Sequence, residues 1–341
     1  MDTINEELVF KNFTSYFSDI PDPRVIERTD HLLPEILFIG VLATICGADN
    51  FVSIEKYGVA KEAWLKTFML LPNGIPSHDT FNRVFCAINS KDFESRFVSW
   101  VRDYYHQLNL KADTDIINID GKTLRESGNS TTRSKPIHMV SALSVEHGLI
   151  LGQEKCKEKS NEITAIPVLL NLLDLQGNIV TIDAMGCQKS IASLIIEKQG
   201  DYVLALKENQ GNLYKEVTGL FDKIEEGSFA HYKHQEDTEW DKGHGRIECR
   251  HCITVTKLDW LYEVSAWKNL ESIIKITSTV SKGEEKTKEN RYYISSMDGN
   301  AKQLNQVVRK HWHIENKLHW LLDVAFNEDL CRYLKEKKGH F

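Results

Sequence analysis

The chain has 341 residues, 41% of them hydrophobic and 27% charged, with a formal net charge of −7. That length holds two or three domains with real cores, and the composition is globular rather than disordered or fibrous. The acidic balance argues against a nonspecific coat on nucleic acid and says nothing against a local basic groove. Seven cysteines spread along the chain point to free thiols in a reducing, cytoplasmic setting. No secretory leader is evident, and the most apolar run, ILFIGVLATIC (36–46), is too short for a bilayer.

Residues 1–112 read as a helical domain. Ile36, Leu37, Ile39, Val41, Leu42 and Ile45 make a helix that is apolar nearly all round, and Trp64, Leu65, Phe68 and Met69 recur at helical spacing. In LPNGIPSHDTFNRVF (71–85), Pro72, Gly74 and Pro76 break the chain, Ser77 is a natural cap, and Phe81, Val84, Phe85 and Ile88 form one stripe. Helix, short glycine turn, helix fits a DNA-reading helix-turn-helix with His78, Asn82 and Arg83 outward. It fits an ordinary helical hairpin as well, and the neighbouring acids favour the hairpin.

From residue 113 the period changes. DIINIDGK (115–122) is a β-rich run, HMVSALSVEHGLILGQEK (138–155) a hairpin of two strands, and TAIPVLLNLLDLQG (164–177) a helix capped by Thr164. NIVTIDAMG (178–186) is a second β-rich run, SIASLIIEKQG (190–200) a helix, and DYVLALKENQ (201–210) a further strand. This order matches a ribonuclease H-like α/β fold, whose first part we assign to 113–221. Residues 222–290 read as a β-rich insertion with strands at 246–256 and 271–280 and a solvated loop, SKGEEKTKEN (281–290). The last part of the core, 291–341, carries a long helix over 301–325.

Asp120 and Asp183 each end an apolar strand, INID and VTID. Functional side chains of open α/β sheets collect at such strand ends. If the two strands are neighbours, the carboxylates share a site suited to Mg²⁺ or Mn²⁺, and two such ions can support phosphoryl transfer. Each aspartate taken singly reads equally as a turn residue or helix cap. A third anionic ligand is then required. Glu315 leads, because His311, Glu315 and His319 recur every fourth residue and share a helical face, with Trp312, Asn316 and Trp320 alongside. Asp323, Glu328 and Asp329 are rivals. The His-Glu-x-x-His pattern of zinc hydrolases is absent, and Cys249 and Cys252 point to opposite faces of a strand, so zinc is disfavoured. Candidate phosphate contacts are Lys122 and Arg125, with Arg133 and Lys135 around a Ser/Thr/Gly-rich loop (127–136). Gln188 and Lys189 past Asp183, Lys207 and Asn209 at a strand end, and Arg246 and Arg250 in HGRIECR (244–250) complete them.

Taken in order, IDGKTLR (119–125), TIDAMGCQ (181–188), LALKENQ (204–210), HGRIECR (244–250) and HWHIENKLHWLLDVAFNED (311–329) resemble the DDE transposases of bacterial insertion sequences, in the group that includes the H-repeat-associated proteins. The N-terminal DPR (22–24) and IPSHDTFNRVF (75–85) resemble that group's associated helical domain. The resemblance implies a ribonuclease H-like core in which Asp120, Asp183 and Glu315 bind divalent metal. It also implies cleavage at terminal inverted repeats and joining of 3′ ends to target DNA, by a homodimer on DNA. His311, Asn316 and Lys317 would orient Glu315 or hold a DNA phosphate. The chain departs from the tyrosine-arginine-glutamate-lysine signature of better-known relatives, having Val308, His311 and Leu322 at those offsets. It also stops soon after the motif, at CRYLKEKKGHF (331–341), which suggests a shortened helical pack. An inactive DNA-binding remnant and a host metal-dependent nuclease are the alternatives.

Overall fold

The structure is a computed structural model that describes residues 5–25, 27, 29–107, 114–128, 135–156, 162–228, 232–243, 246–283, 285–324 and 328–330. The middle of the 127–136 loop with Arg133, His244 and Gly245, residues 325–327, and 331–341 lie outside the described residues. Contacts divide the chain into two compact units, one of 1–110 with 321–328 and one of 111–320 with 329–341.

Among the described residues of its 1–110 part, the first unit has the helices α1 (Glu6–Phe17), α2 (Leu33–Ile45), α3 (Phe51–Leu65), α4 (His78–Ala87) and α5 (Ser90–Gln107). Phe13, Phe17, Ile36, Leu37, Ile39 and Phe81 are fully buried in its core. Asn5, Asn50 and Ser77 cap α1, α3 and α4 through side-chain oxygens, satisfying amides that no helical carbonyl can reach. The segment between α3 and α4 spans 66–77, far longer than the three- or four-residue turn of a helix-turn-helix. His78 is moreover tied back to α3, its Nδ1 2.6 Å from Glu55 Oε2. The spacing is that of a helical hairpin and not of a tight helix-turn-helix.

The second unit is mixed α/β. Its strands are β1 (Ile116–Leu124), β2 (Ile137–Ser144), β3 (Leu149–Lys155), β4 (Ile179–Ile182), β5 (Asp201–Leu206), β6 (His234–Gly243), β7 (Arg246–Val255), β8 (Ser272–Lys282) and β9 (Glu285–Ser295). They form one nine-stranded sheet in the order β3-β2-β1-β4-β5-β9-β8-β7-β6. β1, β4 and β5 run parallel and every other pair is antiparallel. The parallel strands are covered on both faces, as strands without polar alternation must be. Ile117, Ile119, Val180 and Ile182 join a core with α6 (Glu162–Leu172), α7 (Lys189–Glu197) and α8 (Gly211–Glu225). Ile116, Ile179 and Val203 join another with α9 (Ala301–His311).

Four local expectations change. β6 to β9 continue the central sheet through the β5–β9 pair, so the β-rich stretch is built into the same sheet. Within it, 285–290 is not a loop. It is the start of β9, whose ladder with β8 runs out to Lys282↔Glu285 while its charged side chains stay in solvent. α6 begins at Glu162, before Thr164, which puts Pro167 inside the helix rather than in its first turn. The final helix is interrupted: α9 ends at His311, a wide π-helical turn covers Ile314–His319, and α10 is Trp320–Val324. Among the described residues no helix is long and apolar enough to cross a membrane, and no cysteine is in a disulfide.

Candidate active site

β1 and β4 pair in parallel with Ile119 beside Ile182, so Asp120 and Asp183 follow side by side where that pairing ends. Asp183 lies just past β4, whereas Asp120, contrary to the expectation, lies inside β1, which runs on to Leu124 against β2. Alternation along the strands puts Asn118 with Asp120, and Thr181 with Asp183, on the face that α9 covers. Asn118 and Thr181 are the residues that sequence reasoning missed there. Their signal was available in INID and VTID, where a polar residue stands two before each aspartate. Asn118 is 0% exposed and fully occupied. Its amide nitrogen donates to the carbonyls of Lys310 (2.7 Å) and His311 (3.0 Å), and its oxygen accepts from the Thr181 hydroxyl at 2.7 Å. The end of α9 would otherwise leave those carbonyls without helical partners. Thr181 Oγ1 also lies 2.8 Å from His311 Nδ1. A buried polar pair on the sheet therefore anchors the point where the helix opens into the π turn.

That turn changes which side chains align. In it the amide of Trp320 donates to the carbonyl of Glu315, five residues back, so a strict repeat of four no longer holds. His311 turns to Thr181, while His319 Nδ1 lies 3.5 Å from Asp120 Oδ2. Glu315, Asn316 and Lys317 between them are exposed. Burial pulls the His311 imidazole down to about 4 against the smaller opposing charge of Asp183, so it is neutral near pH 7. The ring is neutral and held by Thr181 at the start of the segment that carries Glu315.

Asp120 is the electrostatic centre of the site. Its side chain is 17% exposed, and its acid is pushed up from 3.8 to about 7. Burial is the largest cause, and the charges of Asp183, Glu315 and Glu162 add to it against a backbone hydrogen bond from Gly121. Asp183 spends one oxygen on its own turn, accepting from the amides of Met185 (3.1 Å) and Gly186 (3.2 Å). It is thus a turn residue and a strand-end carboxylate at once. Cys187 in the same loop is fully buried and pushed up to about 12 by that burial and by Asp183, which removes it as a nucleophile.

The basic and amide candidates divide. Asn209 donates to the Ala184 carbonyl at 2.6 Å, and Gln188 donates to the Met185 carbonyl at 3.3 Å, so both brace the loop after Asp183. Lys189 is paired with Glu263 at 2.6 Å. Arg125 pairs with Asp329 at 3.4 Å, which gives that rival carboxylate a partner of its own. Lys207 and Arg246 are exposed, and Lys122 is half-buried. Arg250 is the clear correction. It is 5% exposed, and its guanidinium donates to the Asn305 carbonyl of α9. β7, which carries it, is separated from β4 by β5, β9 and β8, so neither Arg250 nor Arg246 stands beside the paired aspartates. Trp312 packs under the Arg291 guanidinium, 4.4 Å from the ring centroid, whereas Trp320 is exposed. Asp323 and Glu328 fall in the helical unit.

The donor set is all oxygen and all anionic, which suits Mg²⁺ or Mn²⁺ over softer ions. Its accumulated charge is what a cation would relieve. Among the described residues, however, no three His, Cys, Asp or Glu side chains are gathered closely enough to close around one ion.

The chain belongs to the DDE transposase family: residues 111–339 match the transposase DDE domain, and 14–101 match the DDE_Tnp_1-associated domain. It is 44% identical over 326 residues to "Putative transposase YncI" of Escherichia coli O157:H7, covering 94% of this chain and 82% of that one. It is 42% identical over 327 residues to "H repeat-associated putative transposase YhhI" of Escherichia coli K12, covering 94% and 85%. A 74-residue stretch, 22% of this chain, is 36% identical to "Inactive transposase YbfQ" of the same strain and spans 88% of it.

Proposed function

We propose that the chain is a metal-dependent DNA transposase with a ribonuclease H-like core. In this reading it cuts at the terminal inverted repeats of its element and joins the 3′ ends to target DNA. The observation that carries the reading is the set of acids around Asp120. Two neighbouring strands and a helical turn far apart in sequence bring Asp183 and Glu315 near enough to oppose its ionisation. Burial is the larger cause, and a buried carboxyl whose ionisation neighbouring acids further oppose supports a functional site there. Asp120, Asp183 and Glu315 would hold Mg²⁺ or Mn²⁺, which when bound activates the attacking oxygen and stabilises the leaving one.

The protein's own part is positional. The Asn118–Thr181–His311 network fixes the helix end that presents Glu315, and Asn209 with Gln188 fixes the loop that presents Asp183. Exposed Glu315 leaves room for a DNA phosphate to complete the site. Lys122, Arg125, Lys207, Asn316 and Lys317 are the side chains we assign to the DNA backbone. Joining two ends requires that they be held together, which favours a homodimer on double-stranded DNA, in the bacterial cytoplasm where the nucleoid lies.

The test is cleavage of DNA bearing the element's terminal repeats, with and without Mg²⁺ or Mn²⁺. Asp120→Asn, Asp183→Asn and Glu315→Gln should each abolish cutting, by at least about a thousandfold, and leave DNA binding within about threefold. Full cleavage by Glu315→Gln would remove it as the third ligand. Binding of the ends by wild-type protein without cutting would establish the inactive descendant instead. Cutting without regard to the repeats would establish a nuclease.

A further inference from the structure

The residue after Asp120 is a glycine for reasons of space. Gly121 lies within β1, paired with Val140 in a regular ladder, so no turn requires it. A Cβ built there would stand 2.3 Å from Glu162 Oε1 and 2.5 Å from His138 Nε2. A side chain there would have to displace the ends of the Glu162–His138 pair, which occupy the place where its Cβ would be. The pair is itself tightly held. His138 is the cross-strand partner of Thr123, its Nδ1 is 2.7 Å from Thr123 Oγ1, and its Nε2 is 2.6 Å from Glu162 Oε1. Glu162 opens α6, where the unpaired helical amides favour an anion, and its side chain is only 13% exposed.

Gly121 alternates with Asp120, so this paired carboxylate lies on the α6 face, behind the strand that carries Asp120, and its charge adds to those that oppose ionisation there. Alanine at 121 and a neutral residue at 162 would give a quieter sheet edge. We propose that Glu162, oriented by His138, is a positioning residue of the Asp120 site. It places a fourth fixed negative charge behind Gly121, which strengthens divalent-cation binding at Asp120 and Asp183 and holds the Asp120 backbone in place. The inference rests on the metal-dependent reading above and adds to it a residue outside the three-acid set. Glu162 acts through Asp120 and its cation rather than on DNA.

The test uses the full chain without DNA and reads Mn²⁺ binding from the electron paramagnetic resonance signal of the free ion, beside the thermal midpoint in EDTA. Glu162→Gln should weaken Mn²⁺ binding about tenfold, the order expected for removing one charge several ångströms from a divalent ion, at a midpoint in EDTA no lower than wild type. Gly121→Ala, whose Cβ displaces the pair, should weaken binding in the same direction, and Glu162→Asp should restore most of the affinity. If Glu162→Gln does not fold, Gly121→Ala and His138→Gln carry the test, each with the same expected loss. Wild-type Mn²⁺ affinity in these variants, with Asp120→Asn weakened, overturns the proposal and leaves the metal site standing. A lowered midpoint with unchanged affinity overturns it in favour of a purely structural pair. Unchanged affinity in Asp120→Asn as well overturns the metal reading itself.

Discussion

Asp120→Asn should make the metal-free protein more stable, and the gain should grow with pH. The acid of Asp120 rises from 3.8 to about 7 on folding. Below about pH 4 the group is protonated in both states, and its folded-state stability is intact. Between about 4 and 7 the unfolded chain has lost the proton and the folded chain keeps it, so stability falls as pH rises. Above 7 the folded protein carries the buried charge, and the loss is complete. At 1.36 kcal/mol per pH unit the rise corresponds to about 4 kcal/mol as a ceiling. Relaxation around the neighbouring carboxylates reduces this to about 2–4 kcal/mol. Asparagine cannot ionise, so urea denaturation in EDTA should show the gap between variant and wild type widening by about 2–3 kcal/mol from pH 4.5 to pH 8, the rest of the change falling below pH 4.5. Millimolar Mn²⁺ should then raise the wild-type midpoint and leave that of the variant nearly unmoved. Parallel pH profiles for the two proteins would refute the reasoning, because Asp120 would then not carry the excess charge.

Two further perturbations address the supports of the site. Asn118→Ala removes a buried hydrogen bond from Thr181 and two part-buried ones to the Lys310 and His311 carbonyls. It should cost about 3–4 kcal/mol in urea denaturation at unchanged m, with hydrogen exchange accelerated around 310–315. Gly186→Ala would put a Cβ 2.3 Å from Ile182 Cγ2 and 2.9 Å from Ile166 Cδ1, both in the core. The strain should cost about 1–3 kcal/mol, read in the same denaturation, and should weaken Mn²⁺ binding because Asp183 Oδ1 is held by the Gly186 amide.

Much of this protein is legible in one dimension because strands and helices are local patterns. INID and VTID announced two buried strands carrying acids, though β1 runs on past Asp120 to Leu124, and the apolar stripes announced the helices. β6 escaped notice because HQEDTEWDKG is an edge strand whose polar residues carry no apolar alternation. The charged start of β9 was read as a loop for the same reason, since its order comes from the ladder with β8 and not from burial of its side chains. The π turn was invisible because a helical repeat in sequence does not record where a wide turn is inserted. Its place is set by Asn118, nearly two hundred residues upstream.

The sequence by itself determined the chemistry of the candidate site: two aspartates after apolar strand runs, a glutamate in a helical segment, hard oxygen donors. The tertiary structure decided which groups share that chemistry. Strand pairing set Asp120 beside Asp183, and the anchored helix end brought Glu315 within electrostatic reach. Packing of α6 on the sheet added Glu162 behind Gly121, and the same packing logic drew Arg250 inward to Asn305 and away from any DNA. Residue type is written along the chain. Proximity, burial and the charge that follows from them exist only once the sheet has closed its register.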